Sequence, residues 1–212
     1  MRSFLTSSDL VRWCHRADVA TAQRRSHLDA INLIFDDDFD TGTNLNRLWS
    51  SVVDLTACTV AGDPKSASPG ALLGSWGATG FATFGRSGRL VQGAFRAMAT
   101  AAGAQPRLDP PAVAELFAAA AEQDWSSALL VEGPQPGTIL DVIVAAADAA
   151  RSARHLGLDA QLLAIAEQAR RAVDGTQSQH VELRRAGVVD AGALGLSIAL
   201  NELPAAVASG SS

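Results

Sequence analysis

Apolar positions along this chain recur at helical spacing. Leu5, Leu10, Val11, Trp13 and Cys14 fall near a 3.6-residue period, with Ser7, Ser8 and Asp9 as capping residues around the start. Residues 24–32 read as the run-out of a second helix. A polar break follows over 35–44. The stripe Leu45, Leu48, Trp49, Val52, Val53 and Leu55 then predicts a third helix. Residues 61–70 are rich in Gly, Pro and Ser and read as a loop. Residues 74–88 are glycine-rich and precede a helix over 89–102. Residues 106–111 form a turn in which Pro110-Pro111 suits a helix start, and 113–123 is an alanine-rich helix. After a break at 133–137, helices are predicted over 138–154, 159–174 (capped by Asp159) and 191–203. Strand signals are weak: only 128–131 is a candidate, and it reads better as helix or loop. The pattern predicts an all-α fold, an up-and-down antiparallel bundle or barrel of about eight helices. Residues 1–203 form the domain and 204–212 a flexible C-terminal tail.

Composition narrows the partners. The chain has 212 residues, 48% of them hydrophobic, enough for one core. Its net charge of −5 argues against nucleic acid, whose phosphate backbone needs a basic patch. Lys65 is the only lysine, so an anionic ligand must be met by arginine, backbone N–H groups or a metal ion. Cys14 and Cys58 have no metal or redox spacing. No apolar run reaches the roughly 18–20 residues that span a bilayer, so no membrane insertion is expected. The N-terminus, broken by Ser, Asp and Arg, does not read as a signal peptide. The expected location is the cytoplasm. His15, His27, His155 and His180 are scattered and read as surface or core residues. Trp13, Trp49, Trp76 and Trp125 read as core.

The chemistry lies in the breaks, each of which precedes a helix. The first holds Asp36, Asp37, Asp38 and Asp40, four carboxylates in five residues, which repel one another unless a cation lies between them. Hard oxygen donors without Cys or His select magnesium or calcium. Thr41-Gly42-Thr43-Asn44 then opens a helix whose N–H groups and positive end suit a phosphate. The same residues also fit an acidic, solvated cap, since Asp and Thr favour caps. The second break is Gly85-Arg86-Ser87-Gly88, whose glycines permit an anion nest or simply a turn. The third is Gly137-Thr138-Ile139-Leu140-Asp141. The fourth, Gly187 to Ala193, follows Arg184-Arg185. In an up-and-down bundle, breaks two helices apart meet at one end. Neither a P-loop nor a Rossmann glycine fingerprint is present.

Taken together these segments resemble a known family. The run from Asn32 to Asn44 resembles the N-x-F-P-V-x-D-x-D-T-G-T-N signature of the dihydroxyacetone kinase L-type domain, with the N-terminal domain of bacterial fatty acid kinases as the closest branch. Gly85-Arg86-Ser87-Gly88 is similar to its G-N-S-G segment. Gly137-Thr138-Ile139-Leu140-Asp141 is similar to E-G-T-I-L, and Ala186 to Gly192 matches A-G-V-V-D-A-G. The resemblance implies an eight-helix barrel with Mg-ATP at one end. It implies Asp38 and Asp40 as catalytic metal-binding residues, with Asn32 as a third metal-site residue. Thr41, Gly42, Thr43, Asn44, Ser87 and Gly88 would hold phosphates. Thr138 and Ile139 would lie near base or ribose, and Asp190, Ala191 and Gly192 would close the ATP/ADP pocket. It further implies a kinase whose small acceptor, dihydroxyacetone-like or fatty acyl, is presented by a partner subunit; a homodimer stays open. The chain departs from the signature at Phe35-Asp36-Asp37, at Phe39 and at Arg86, and Gly74 to Gly80 competes for the phosphate loop. The alternatives are a catalytically weakened regulator acting through protein interaction, and a helical interaction module with an acidic calcium loop.

Overall fold

Thr6 opens the first helix. Its hydroxyl accepts from Asp9 N–H, while Asp9 Oδ2 accepts from Thr6 N–H at 2.9 Å, so two N-terminal donors are satisfied reciprocally. The cap is thus Thr6, one residue before the expected group. Helix α1 then runs unbroken over Ser7–Ala30. The expected division into two helices is absent: no Gly or Pro interrupts the chain, and His15, Arg16, Gln23 and Arg24 simply face solvent.

The computed structural model describes residues 2–33, 39–60, 67–78, 84–125 and 136–210. Among them the further helices are α2 (Thr41–Val60), α3 (Pro69–Gly77), α4 (Gly85–Ala102), α5 (Pro110–Glu122), α6 (Ile139–Ala153), α7 (Leu158–Gln179), α8 (Val181–Ala186) and α9 (Ala191–Ala208). Each of α1 to α7 packs on its successor. α9 packs on both α7 and α1, which closes a ring of eight helices with the short α8 attached to α7. The all-α barrel expected from the periodicity is the observed fold.

The differences from the sequence pattern have local causes. α3 occupies part of the expected glycine loop, because Ser68 caps it through Ala71 N–H at 3.1 Å and Pro69 starts it. Gly74 and Gly77 are helical residues, and Gly77 lets α3 approach the backbone of Arg96 on α4. α7 starts from Gly157 without a side-chain cap; Asp159 instead accepts the Arg2 backbone N–H at 3.3 Å. Leu5–Thr6 (β1) pairs antiparallel with Arg107–Leu108 (β2), a two-residue ladder too short to leave a period-2 signal. The strand candidate at 128–131 lies outside the described residues. The last helix passes the expected end at Leu203 and continues through Pro204 to Ala208, burying Ala206 and Val207. Contrary to the composition reading, this helix has the length and hydropathy of a bilayer span. Yet 61% of its residues are buried inside the barrel.

Trp13, Trp49, Trp76 and Phe95 meet edge to face in the core, the closest pair being Trp76 and Phe95 with ring centroids 5.2 Å apart. Two indole N–H groups are satisfied there: Trp13 donates to Ala199 O at 2.7 Å and Trp76 to Thr56 Oγ1 at 2.8 Å. At the end where α1 begins, buried Asp9 pairs with Arg2 at 2.6 Å and with Arg12, and Arg12 Nε donates to Ala206 O at 2.8 Å. This ties both chain termini to the barrel, at the end opposite the starts of α2, α4, α6 and α9.

Candidate functional site

Four helix starts share one end of the barrel, and small residues let them touch. The first turn of α2 lies on the last turn of α1. Gly42 sits where any Cβ would overlap the carbonyl of Arg25. Asp40 precedes α2: its carbonyl accepts Asn44 N–H at 2.8 Å, and its Oδ1 accepts the Asn44 side-chain amide at 2.6 Å. The other face of Asn44 meets α4. A Cβ at Gly85 would stand 2.7 Å from Asn44 Nδ2, and Gly85 adopts φ +59, which glycine tolerates best. Gly85-Arg86-Ser87-Gly88 is therefore the first turn of α4 itself, four residues earlier than the periodicity indicated.

Ser87 leads on to α9. A Cβ at Gly192 would stand 2.5 Å from Ser87 Oγ and 3.3 Å from Asp190 Oδ1. Asp190 caps α9 by accepting Ala193 N–H at 2.6 Å, and its own N–H donates to Thr176 Oγ1 of α7 at 3.0 Å. Burial raises the Asp190 carboxyl from its ordinary value to about 6. The Ala193 N–H, His180 and Arg86 pull it back down, while Asp141 pushes it further up. Asp141 belongs to the start of α6, where its carboxylate accepts Gly137 N–H and, at 2.9 Å, Thr138 N–H. Gly137 fits closely against His180, whose Nε2 lies 2.8 Å from Pro136 O.

The segments singled out in the sequence thus meet at one end. Asp40, Thr41, Gly42, Thr43, Asn44, Ser87, Gly88, Thr138, Asp190, Ala191 and Gly192 all belong to these helix starts. Asn32 is buried just beyond α1, and its N–H donates to Asp29 O at 3.3 Å. Ile139 is buried in the apolar core beneath the α6 start. Thr43 directs both its N–H and its hydroxyl to Asp29. Asp36, Asp37 and Asp38 lie outside the described residues. Among the described residues no three His, Cys, Asp or Glu side chains cluster as a metal site would need. Gly74 to Gly77, the competing glycine segment, forms a helix end, not a start; Thr79 and Gly80 lie outside the described residues.

Several contributors were not among the sequence candidates. Asp29, Thr176 and His180 hold the helix starts, beside Asp141, which the third break already contained. For Asp29 a signal existed: an acid in the last turn of a helix opposes the macrodipole and asks for a specific partner. Phe39, between Asp38 and Asp40, has φ +48 and is exposed. A bulky residue is strained in that conformation.

Chemically, this end of the barrel presents groups of the kind that suit an anion and a hard cation. Each helix start carries about half a positive charge, and four of them converge here. The amides of Thr41 and Gly42, as the first in α2, have no partner inside the helix. Arg86 adds a cationic side chain whose charge reaches Asp190. Of the residues expected at a metal site, Asp40 and Asn32 offer hard oxygen donors of the kind that suits magnesium. The DAK2 domain family matches residues 37–205, a span that begins in the acidic loop and ends in α9. No curated protein matches the chain.

Proposed function

We propose that this chain, which belongs to the DAK2 domain family, binds Mg-ATP where α2, α4, α6 and α9 begin and transfers its terminal phosphoryl group. The acceptor is a small molecule, dihydroxyacetone-like or fatty acyl, presented by a partner protein or domain. The family's association with kinase activity sets the reaction class. The observation that carries the reading is the contact of Ser87 with Gly192 and of Asn44 with Gly85, which gathers the separate segments into one end.

In this reading Asp38 and Asp40 hold the metal, with Asn32 as a third metal-site residue. Magnesium, when bound, neutralises phosphate oxygens and orients them for in-line transfer. The Thr41 and Gly42 amides and the Ser87-Gly88 turn take phosphate oxygens at positive helix ends. Thr138, above Ile139, faces the nucleoside side, and Asp190 to Gly192 form the opposite wall. Thr43 and Asn44 contribute by fixing Asp40 and the α2 start. Phosphoryl transfer asks little more of a protein than such positioning and charge neutralisation.

The test is thermal stability with Mg-ADP, with ADP plus EDTA, and with magnesium alone, in the wild type and in Asp38→Ala/Asp40→Ala. Ligand at 100 times its Kd adds about 2.7 kcal/mol. Stabilisation is expected only with metal, nucleotide and both aspartates present; its absence in the wild type would overturn the reading. The strained Phe39 and the charged Arg86 favour one second reading, a regulator that keeps nucleotide binding but not turnover. Mg-ADP binding without phosphoryl transfer to any partner-held acceptor would select it.

A further inference from the structure

The acidic loop leaves α1 after Ala30 and enters α2 at Thr41. A single residue holds both flanks. On the way out, the Asp29 carbonyl accepts Asn32 N–H at 3.3 Å. On the way in, the Asp29 carboxylate accepts Thr43 N–H at 2.8 Å and the Thr43 hydroxyl at 2.9 Å. Thr43 is followed by Asn44, whose side-chain amide holds Asp40 Oδ1 at 2.6 Å. Gly42 completes the junction by letting the α2 backbone settle on Arg25 and Leu28.

The position of this carboxylate is informative. Within α1 alone an acid in the last turn sits at the negative end of the helix, where a neutral or basic residue is more favourable. Among the described residues the compensation comes from α2, whose positive start lies directly against it. Asp29 therefore does little for α1 and a great deal for the α1–α2 junction.

We propose that Asp29 is a positioning residue of the metal–nucleotide site. Its carboxylate acts through Thr43 on the start of α2, and so on Asp40, while its carbonyl holds Asn32. The inference rests on the nucleotide reading above. Both carboxylate oxygens of Asp29 accept from Thr43, which in this reading sets it apart from the aspartates that hold the cation.

The experiment titrates the full chain with ADP at a series of magnesium concentrations. It compares wild type, Asp29→Asn, Asp29→Ala, Thr43→Val, Thr43→Ser and Asp29→Asn/Thr43→Val. Asp109→Ala is the control: it removes the cap of α5, which accepts Ala112 N–H at 2.9 Å, at the far end of the barrel. Losing an outer-shell partner typically weakens metal binding about tenfold or more. The magnesium needed for half-maximal ADP binding should rise by about that factor in Asp29→Asn and Asp29→Ala. Thr43→Val should follow in the same direction, Thr43→Ser should stay at wild type, and the double variant should be no worse than Asp29→Asn. Asp109→Ala should melt earlier yet keep the wild-type magnesium dependence. Wild-type magnesium dependence in Asp29→Asn overturns the inference. So does an unaffected Thr43→Val, since Asp29 would then act directly on the cation, and so does an equal shift in Asp109→Ala. If the wild type itself binds no Mg-ADP, the nucleotide reading falls and this one with it. Wild-type binding with indifferent variants removes only the role of Asp29. Should Asp29→Ala fail to fold, Asp29→Asn and Thr43→Val carry the same test.

Discussion

Asp190 does two things at once. It caps α9 through Ala193 N–H, and it is a buried carboxyl raised to about 6. Because its folded value lies above the ordinary one near 3.9, the folded chain holds this proton more tightly than the unfolded chain does. Its contribution to stability is complete below about pH 4, declines as pH rises towards 6, and is gone above that. Asn caps a helix as well as Asp does and carries no charge. Asp190→Asn should therefore be at least as stable as the wild type at pH 7, and it should lose the decline between pH 4 and 6. Denaturant midpoints measured from pH 4 to 8 check this; parallel curves for the two proteins would refute it. Phe39 shows the same conflict between residue and place, with φ +48 and an exposed ring beside Asp40. A residue pattern exposes neither fact, since burial and backbone angle belong to the folded chain.

At the scale of elements, glycines decide how closely helices meet. Gly42 lies in α2 against the backbone of α1, with any added Cβ overlapping the Arg25 carbonyl and standing 2.8 Å from Leu28 Cβ. Backbone cannot step aside as a side chain can. Gly42→Ala should cost about 1–3 kcal/mol by forcing the two helices apart. Gly175, in α7, is the contrast: its added Cβ would meet only Gln179 Nε2, at 3.9 Å. Gly175→Ala should stabilise by about 0.5–1 kcal/mol, because Ala is the better helix former there. Chemical denaturation of both variants gives the comparison, and equal signs would refute it. By resemblance, the sequence places Gly42 in a segment expected to hold phosphate. The fold adds that it is also the contact point between α1 and α2.

For the whole molecule, closure of the ring is what matters. α9 packs on both α7 and α1, and its last turn is tied to α1 by Arg12 donating to Ala206 O at 2.8 Å. Residues 204–208 therefore behave as part of the barrel. Removing 204–212 takes away buried Ala206 and Val207 and strands Arg12 beside Asp9. Burying one such apolar side chain is worth about 1.5–3 kcal/mol. Truncation after Leu203 should lower stability by at least about 2 kcal/mol, visible as an earlier thermal midpoint; an unchanged midpoint would mean the last turn is ornamental. Pro204 is why the pattern stops early: it removes one helical hydrogen bond and reads locally as an end.

Period and punctuation are local properties, and the chain carries them openly. The 3.6-residue stripe of Leu45, Leu48, Trp49 and Val52 specifies a helix with one apolar face wherever it packs. The breaks at Asp40, Gly85, Thr138 and Asp190 specify helix starts rich in small and polar groups. All-α architecture and candidate chemistry follow from those alone. Only the tertiary structure decides which starts share an end, because that depends on ring closure: Ser87 reaches Gly192, and Asn44 reaches Gly85, across more than forty residues of chain. It also decides that Thr43 serves Asp29 and that Asp190 is buried. A hydrogen bond between residues fourteen apart, like a desolvated carboxyl, is set by what the rest of the barrel brings alongside.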